Sequence, residues 1–205
     1  MKIANIVLKS IENSPITFGR FYDVPKEDKE SHADYEKSTW RERLHVLKDG
    51  TVVIPPMMIK NTLDATAKYL SVQIPGKGKA TYTKHFDAGV SVYKPAVLRN
   101  GKPIKKDDVG GQWTHVPSDG MRGGTKRVPK CFPIIPEWTA ECEVEVLDDT
   151  ITEEVFEHHL REAGRFIGFG TFRPRNRGYH GRFEVVSIEW NNGDEDKKKK
   201  SRVRI

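Results

Sequence analysis

Apolar residues recur along this chain with two different periods, and the periods divide it into elements. In KIANIVLKS, residues 2–10, Ala4, Ile6 and Leu8 alternate with Ile3, Asn5, Val7 and Lys9, the period of a strand. Asn13-Ser14-Pro15 ends it. EWTAECEVEVL, residues 137–147, alternates more strictly, with Trp138, Ala140, Cys142, Val144 and Val146 on one face and acids on the other. LHVLKDGTVVI, residues 44–54, reads as a hairpin turning at Asp49-Gly50. Phe86–Leu98 reads as one strand or two short ones, and Arg182–Trp190 as the last strand.

Two segments carry the helical period instead. Pro55-Pro56 opens the first, since proline costs nothing at the first helical position. Ile59, Leu63, Ala67 and Leu70 form its apolar stripe, and Ile74-Pro75-Gly76 stops it. The second follows a capping box in which Thr150 caps and Glu153 reaches back. Val155, Phe156, His159, Leu160 and Ala163 are its buried stripe, and Gly164 closes it in a left-handed turn.

The resulting order is strand, helix, strand, strand, helix, strand. It predicts an α+β, ferredoxin-like (βαββαβ) domain over residues 1–190, an antiparallel sheet with both helices on one face. Two insertions interrupt it. One is a long excursion after strand 1, about residues 18–53. The other, residues 99–135 between strands 2 and 3, is rich in glycine and reads as a protruding hairpin or loop. The stretch 191–205, NNGDEDKKKKSRVRI, is charged and of low complexity, so it is expected to be a disordered tail.

Composition narrows the class. The 205 residues are 36% hydrophobic and 31% charged, with a net charge of +6 and a pI near 9.2. No apolar run approaches the roughly 18–20 residues that span a bilayer, so no membrane role is expected. The alternating N-terminus reads as a first strand and not as a secretion signal. Cys131 and Cys142 are too few for a disulfide framework or a zinc site. They read as reduced thiols of a cytoplasmic protein, with no metal and no cofactor.

The placement of charge says more than its sum. From Cys131 to Leu160 there is no Lys or Arg, yet nine acids occur. The next stretch, GRFIGFGTFRPRNRGYHGR (164–182), holds five glycines, five arginines and no acid. A second basic cluster includes Arg122, Lys126 and Arg127. Glycine lets backbone approach a phosphate closely, arginine forks onto phosphate oxygens, and aromatics stack on unpaired bases. These ingredients point to single-stranded RNA or DNA, held by Gly168, Gly170, Arg173, Arg175, Arg177, Gly178, Tyr179, His180, Gly181 and Arg182. The glycines do not fit the dinucleotide fingerprint, and PGKGKAT lacks the spacing of a phosphate-binding P-loop, so nucleotide hydrolysis is excluded. Trp40, followed by the alternating charges Arg41-Glu42-Arg43, reads as packing the excursion onto the domain, with base stacking as the other use.

Three stretches carry a family resemblance. SPITFGR (14–20), IPPMMIKNTLDATAKYL (54–70) and FIGFGTFRPRNRGYHGRFEVV (166–186) resemble the first loop, the Ile-Pro helix and the C-terminal glycine-rich loop of the RAMP superfamily. These are ferredoxin-like RNA-binding proteins that include CRISPR effector backbone subunits. The chain is short for a backbone subunit, which leaves room for a stand-alone viral or mobile-element relative. The resemblance implies RNA along the sheet face and the glycine loop, and a thumb at residues 99–135 with Arg122, Lys126 and Arg127. It also implies Lys60 as a binding residue, and a homo-oligomer along the strand or a subunit of a ribonucleoprotein.

Some members cut RNA with histidine. His45, His85, His115 and His180, with Asp23, Asp87 and Asp119 for members that use an aspartate, are the choices here, and none has a spacing that fixes a partner. His180, with His115 behind it, is the best placed for a metal-independent endoribonuclease. A third reading is a protein-docking scaffold or inhibitor with a basic face.

Overall fold

The computed structural model describes residues 1–118 and 125–192. Its main sheet sets β10 (Phe183–Asn192), β1 (Lys2–Ser10), β9 (Thr139–Val146), β5 (Ala96–Asn100) and β3 (Val53–Ile54) side by side in that order. All these pairings are antiparallel. The short β4 (Val90–Ser91) also pairs with β9, and β6 (Lys102–Pro103) with β5. Register fixes the faces. Ala4, Ile6 and Leu8 stand opposite Val144, Cys142 and Ala140, and all six are buried. Burial alone pushes the Cys142 thiol up to about 12.

Helices α2 (Pro56–Leu70) and α4 (Glu153–Glu162) share that core. Ile59 and Leu63 of α2 and Phe156 and Leu160 of α4 are buried in the same cluster as the strand residues. The opposite face of the sheet is open. There Ile3, Asn5 and Val7 stand opposite Glu145, Glu143 and Glu141, and Asn5 is also opposite Glu189.

Three local expectations need correction. Phe86 lies in a helix, α3 (Thr83–Gly89), and only Val90–Ser91 and Ala96–Asn100 are strand. Phe86 is buried and stacks on Phe156 at 6.4 Å, a tertiary contact that outweighs local strand propensity. The cap of α4 is Thr152, whose hydroxyl accepts from the Val155 amide at 3.3 Å. Ile151 is fully buried, so the chain turns into the helix only after it. Gly164 does not end the helix in a left-handed turn. Residues Ala163–Ile167 widen into a π-turn, and the positive φ of 68° falls at Gly168. Gly164 serves close packing, because a Cβ there would overlap the Phe183 carbonyl of β10.

The hairpin at 44–54 keeps its turn, with Gly50 at φ 78° and Val46 opposite Val52. Only Val53 and Ile54 reach the sheet.

The glycine-rich insertion forms a long hairpin of β7 (Gly110–Pro117) and β8 (Arg127–Ile135), joined by β2 (Ile16–Thr17) into a second sheet. The excursion folds onto β8 through α1 (His32–Thr39) and a 3-10 turn, Trp40–Arg43. A buried ion pair fastens it. Arg43 Nη1 sits 2.8 Å from Glu36 Oε1 and donates to the Cys131 carbonyl at 3.2 Å. Glu36 accepts from the Cys131 amide at 2.8 Å. Trp40 is 8% exposed, with the Arg41 guanidinium 4.2 Å above its ring, so it packs the excursion down.

Candidate nucleic-acid interface

The glycine–arginine loop is built by backbone contacts. The Thr171 amide donates to the Thr17 carbonyl at 3.0 Å, and the Gly181 amide to the Pro15 carbonyl at 2.8 Å. The Ser14 hydroxyl donates to the Tyr179 carbonyl at 2.7 Å and accepts from the Arg182 amide at 2.9 Å. The loop is thereby laced to the segment after β1. Gly170 is required here: its φ is 81°, and a Cβ would overlap the Thr17 carbonyl oxygen.

This lacing changes the role expected of the backbone. The amides of Gly168, Gly178, His180 and Gly181 all donate to carbonyls within the fold. The glycines bring strands of chain together, and with these four amides occupied, side chains are the groups left to meet an anion.

Those side chains meet in a pocket of about 320 Å3 where the three motif stretches converge. Gly19 and Arg20 come from the first loop, Asn61 from α2, Gly170 and Arg173 from the glycine–arginine loop, and His45 from the excursion. The start of α2 at Pro55–Met58 forms another wall, where Pro55 and Pro56 have no N–H and the Met58 amide donates to the Pro55 carbonyl at 2.9 Å. A helix start is a region of positive potential. None of the described residues lining this pocket is acidic. Arg173 is partly buried, and its Nε has no partner among the described residues. Burial, with Arg175 nearby, lowers its pKa from a value so high that it stays charged. Burial also holds His45 below the ordinary histidine value, and Arg20 adds to the effect. The pocket is partly desolvated and lined by two arginines with no acid among the described lining residues, an arrangement that suits an anion.

The other expected residues are scattered. Arg175 and Arg177 are exposed on a 3-10 turn, and Arg177 has φ 64°. Arg182 is half-buried at the foot of the loop. Tyr179 is 62% exposed, whereas His180 is only 4% exposed, its ring edge-on to Phe172 and Tyr179. Burial lowers the His180 pKa. Lys126 and Arg127 are exposed at the far end of the hairpin, where Arg127 donates to the His115 carbonyl at 3.3 Å. Arg122 lies outside the described residues.

Lys60 has a different setting from the one expected. Its ammonium pairs with Asp64 and donates to the Phe86 and Asp87 carbonyls at 3.0 and 3.1 Å. The two carbonyl bonds hold α3 against α2, and the Asp64 pair lies within α2. His85 pairs with Asp148 at 2.6 Å. Among the described residues no cluster of three metal-ligating side chains occurs, and no helix is long and apolar enough to cross a membrane.

Arg20, His45 and Asn61 were not singled out by sequence reasoning as binding residues. The signal available for Arg20 was its place in SPITFGR, one of the three motif stretches.

Among solved structures, the chain is similar to one in the cryo-EM structure of the Type III-B Cmr-beta bound to cognate target RNA. The TM-score is 0.54 at 11% identity, over 92% of this chain and 60% of that one, so this chain spans about 60% of its relative's length. It also matches the crystal structure of Cmr6 from Pyrococcus furiosus, with a TM-score of 0.47 at 15% identity, over 91% of this chain and 99% of that one. No protein-family model and no curated protein matches.

Proposed function

We propose that the protein binds single-stranded RNA as a RAMP-type subunit, with strand phosphates seated between Arg20, Arg173 and the start of α2. The observation that carries this is the acid-free pocket at the meeting point of the three motif stretches. An anion seat of this kind occurs where a guanidinium pair and a helix start point at one space. The RNA-bound Type III-B relative shares the fold and so supports RNA over DNA.

The frame is read as ferredoxin-like over residues 1–190, supported by the order β10-β1-β9-β5 and by α2 and α4 sharing one core. The excursion and the β7–β8 hairpin are insertions on that frame. The exposed Lys126 and Arg127 at the far end of the hairpin give a second basic point, for the strand or for a neighbouring subunit.

The test is co-purification without nuclease treatment, followed by digestion of the bound material and a binding titration against oligouridine RNA and oligothymidine DNA. The expected result is RNase-sensitive material and tighter binding of RNA. The logarithm of affinity should fall against the logarithm of salt with a slope of about −0.7 for each phosphate held. A protein that stays free of nucleic acid and ignores both oligonucleotides at low salt overturns the reading.

A further inference from the structure

The β7–β8 hairpin has one edge covered and one edge open. β2 and the excursion lie along the outer side of β8, whereas β7 pairs with β8 alone. Prolines decide which way the backbone of β7 points. Pro129 and Pro133 of β8 stand opposite His115 and Gly111, and Pro117 stands opposite Arg127. Proline has no N–H, so these are the non-hydrogen-bonded pairs of the ladder, whose amides and carbonyls face away from the paired strand. The contacts of β8 agree. The Pro133 carbonyl accepts from the Phe18 amide at 3.4 Å. Cys131, opposite Trp113, gives its amide to Glu36 and its carbonyl to Arg43, both away from β7. By the same alternation, Gly111, Trp113 and His115 turn N–H and C=O to the open edge. Among the described residues only the His115 carbonyl has a bond there, from Arg127 at 3.3 Å, and that leaves it a second lone pair.

An open edge of this kind is a template for another strand, and folded proteins shield it with charge, proline or a covering element. Pro117 shields only its end. No residue from Val109 to Ser118 is charged, and Trp113 is 49% exposed. The pattern also says which strand fits. The three outward residues are symmetric about Trp113. A second β7 run antiparallel, with Trp113 opposite Trp113, therefore puts Gly111 opposite His115 on both sides of the centre. Every outward N–H then meets an outward C=O. Glycine leaves space beside the imidazole, and the two indoles form a cross-strand aromatic pair. The charges match as well. This register turns the far end of one hairpin, with exposed Lys126 and Arg127, toward the base of the other. There Asp107 and Asp108 are exposed and have no ion-pair partner among the described residues.

We propose that the open edge of β7 is a self-association site, where two copies of this chain pair their β7 strands antiparallel about a two-fold axis at Trp113. The joint continues the order β2-β8-β7 of one copy into β7-β8-β2 of the other. The contact uses the same patch on both copies, so it closes as a dimer and does not propagate into a filament. The inference stands apart from the RNA-binding reading, since neither the pocket at α2 nor the glycine–arginine loop takes part in it.

The experiment is sedimentation velocity on the nuclease-treated full chain, joined to a cross-linking test of the register. The natural chain is expected to be a dimer in the micromolar range. His115→Pro removes an outward N–H and sets a ring on the open edge while the β7–β8 bonds stay in place. It should weaken the dimer about tenfold or more, because the two-fold axis counts each lost bond twice, with the circular dichroism of the natural chain retained. For the register, a Gln112→Cys chain is mixed with a Thr114→Cys chain. These positions face each other across the joint as a non-hydrogen-bonded pair, with Cα atoms about 4.5 Å apart, within reach of a disulfide. Mild oxidation of the mixture should give a covalent dimer, and a mixture of Gln112→Cys with Ser118→Cys should give none. A natural chain that stays monomeric, or a dimer present only before nuclease treatment, overturns the site. So does a His115→Pro chain that dimerises as well as the natural one, or a 112–114 mixture that cross-links no better than the 112–118 control.

Discussion

The open face of the main sheet and the pocket at the start of α2 belong to the same basic protein, yet they carry opposite charge. The sheet face presents Glu141, Glu143, Glu145 and Glu189, and the ammonium of Lys94 on it is held by Glu143 at 3.0 Å. The pocket presents Arg20, Arg173 and His45, with no acid among the described residues that line it. A net charge of +6 gives the sign of the whole molecule and says nothing about where a strand would lie. Binding along the open sheet face, which the family resemblance implied, meets a row of carboxylates. The proposed seat at the junction of the loops has no such row.

Reversing the junction tests this contrast most severely. Arg20→Glu with Arg173→Glu removes two charge-assisted seats and installs repulsion. RNA affinity by fluorescence anisotropy should drop by more than about 100-fold. Retained affinity would break the comparison outright.

A milder probe is Gly170→Ala, which leaves every charge in place. Its backbone at φ 81° and the nearby Thr17 carbonyl leave no room for a methyl group. The cost is about 2 kcal/mol, or roughly 5 °C in the melting temperature. RNA binding should weaken with it as Arg173 shifts, and an unchanged melting curve would show that the loop is not laced to β2 as described.

On the other side of the comparison, Glu141→Lys with Glu143→Lys makes the sheet face basic. RNA affinity should change by less than about threefold at physiological salt, because exposed charges beyond a Debye length of about 8 Å are largely screened. A large gain in affinity would mean that the strand does reach the sheet face.

A last, modest effect concerns pH. His45 is held below about 6.5 by burial and by Arg20, so it is neutral at pH 7. Its share of stability is full above about 6.5 and is lost as the pH falls through its lowered folded value. A bound phosphate favours the protonated ring, so RNA affinity should rise about two- to fivefold between pH 7.5 and 5.5. His45→Gln should flatten that rise, and a slope that survives the substitution would take His45 out of the pocket.

Long periodic segments were legible in the sequence because period reports burial directly. The alternation in 2–10 and 137–147, and the stripe of Ile59, Leu63 and Ala67, correspond to buried faces of β1, β9 and α2. Short elements were not legible. The seven residues of α3 form a helix because Phe86 packs on Phe156 and Lys60 holds its last carbonyls, both contacts from distant segments. Thr150 and Thr152 are equally good caps on paper, and only the burial of Ile151 decides between them. For the site, the arginine-rich loop stood out by composition. Arg20, His45 and Asn61 did not, since each comes from a different segment and only the fold brings them to Arg173.

The Glu36–Arg43 pair has a consequence for the order in which the chain assembles. Its contacts with Cys131 join residues 95 and 88 positions apart, among the long loop closures of the fold. The β7–β8 hairpin pairs near neighbours and needs only about 1–10 μs of the kind available to any hairpin. The arm carrying Glu36 and Arg43 has no reward until β8 exists, because both ions lose water only when they dock. The docking step should therefore come late and raise the contact order of the whole domain. By the same reasoning the arm should be among the first parts to open, with the amides of α1 exchanging with solvent well before those of β1 and β9.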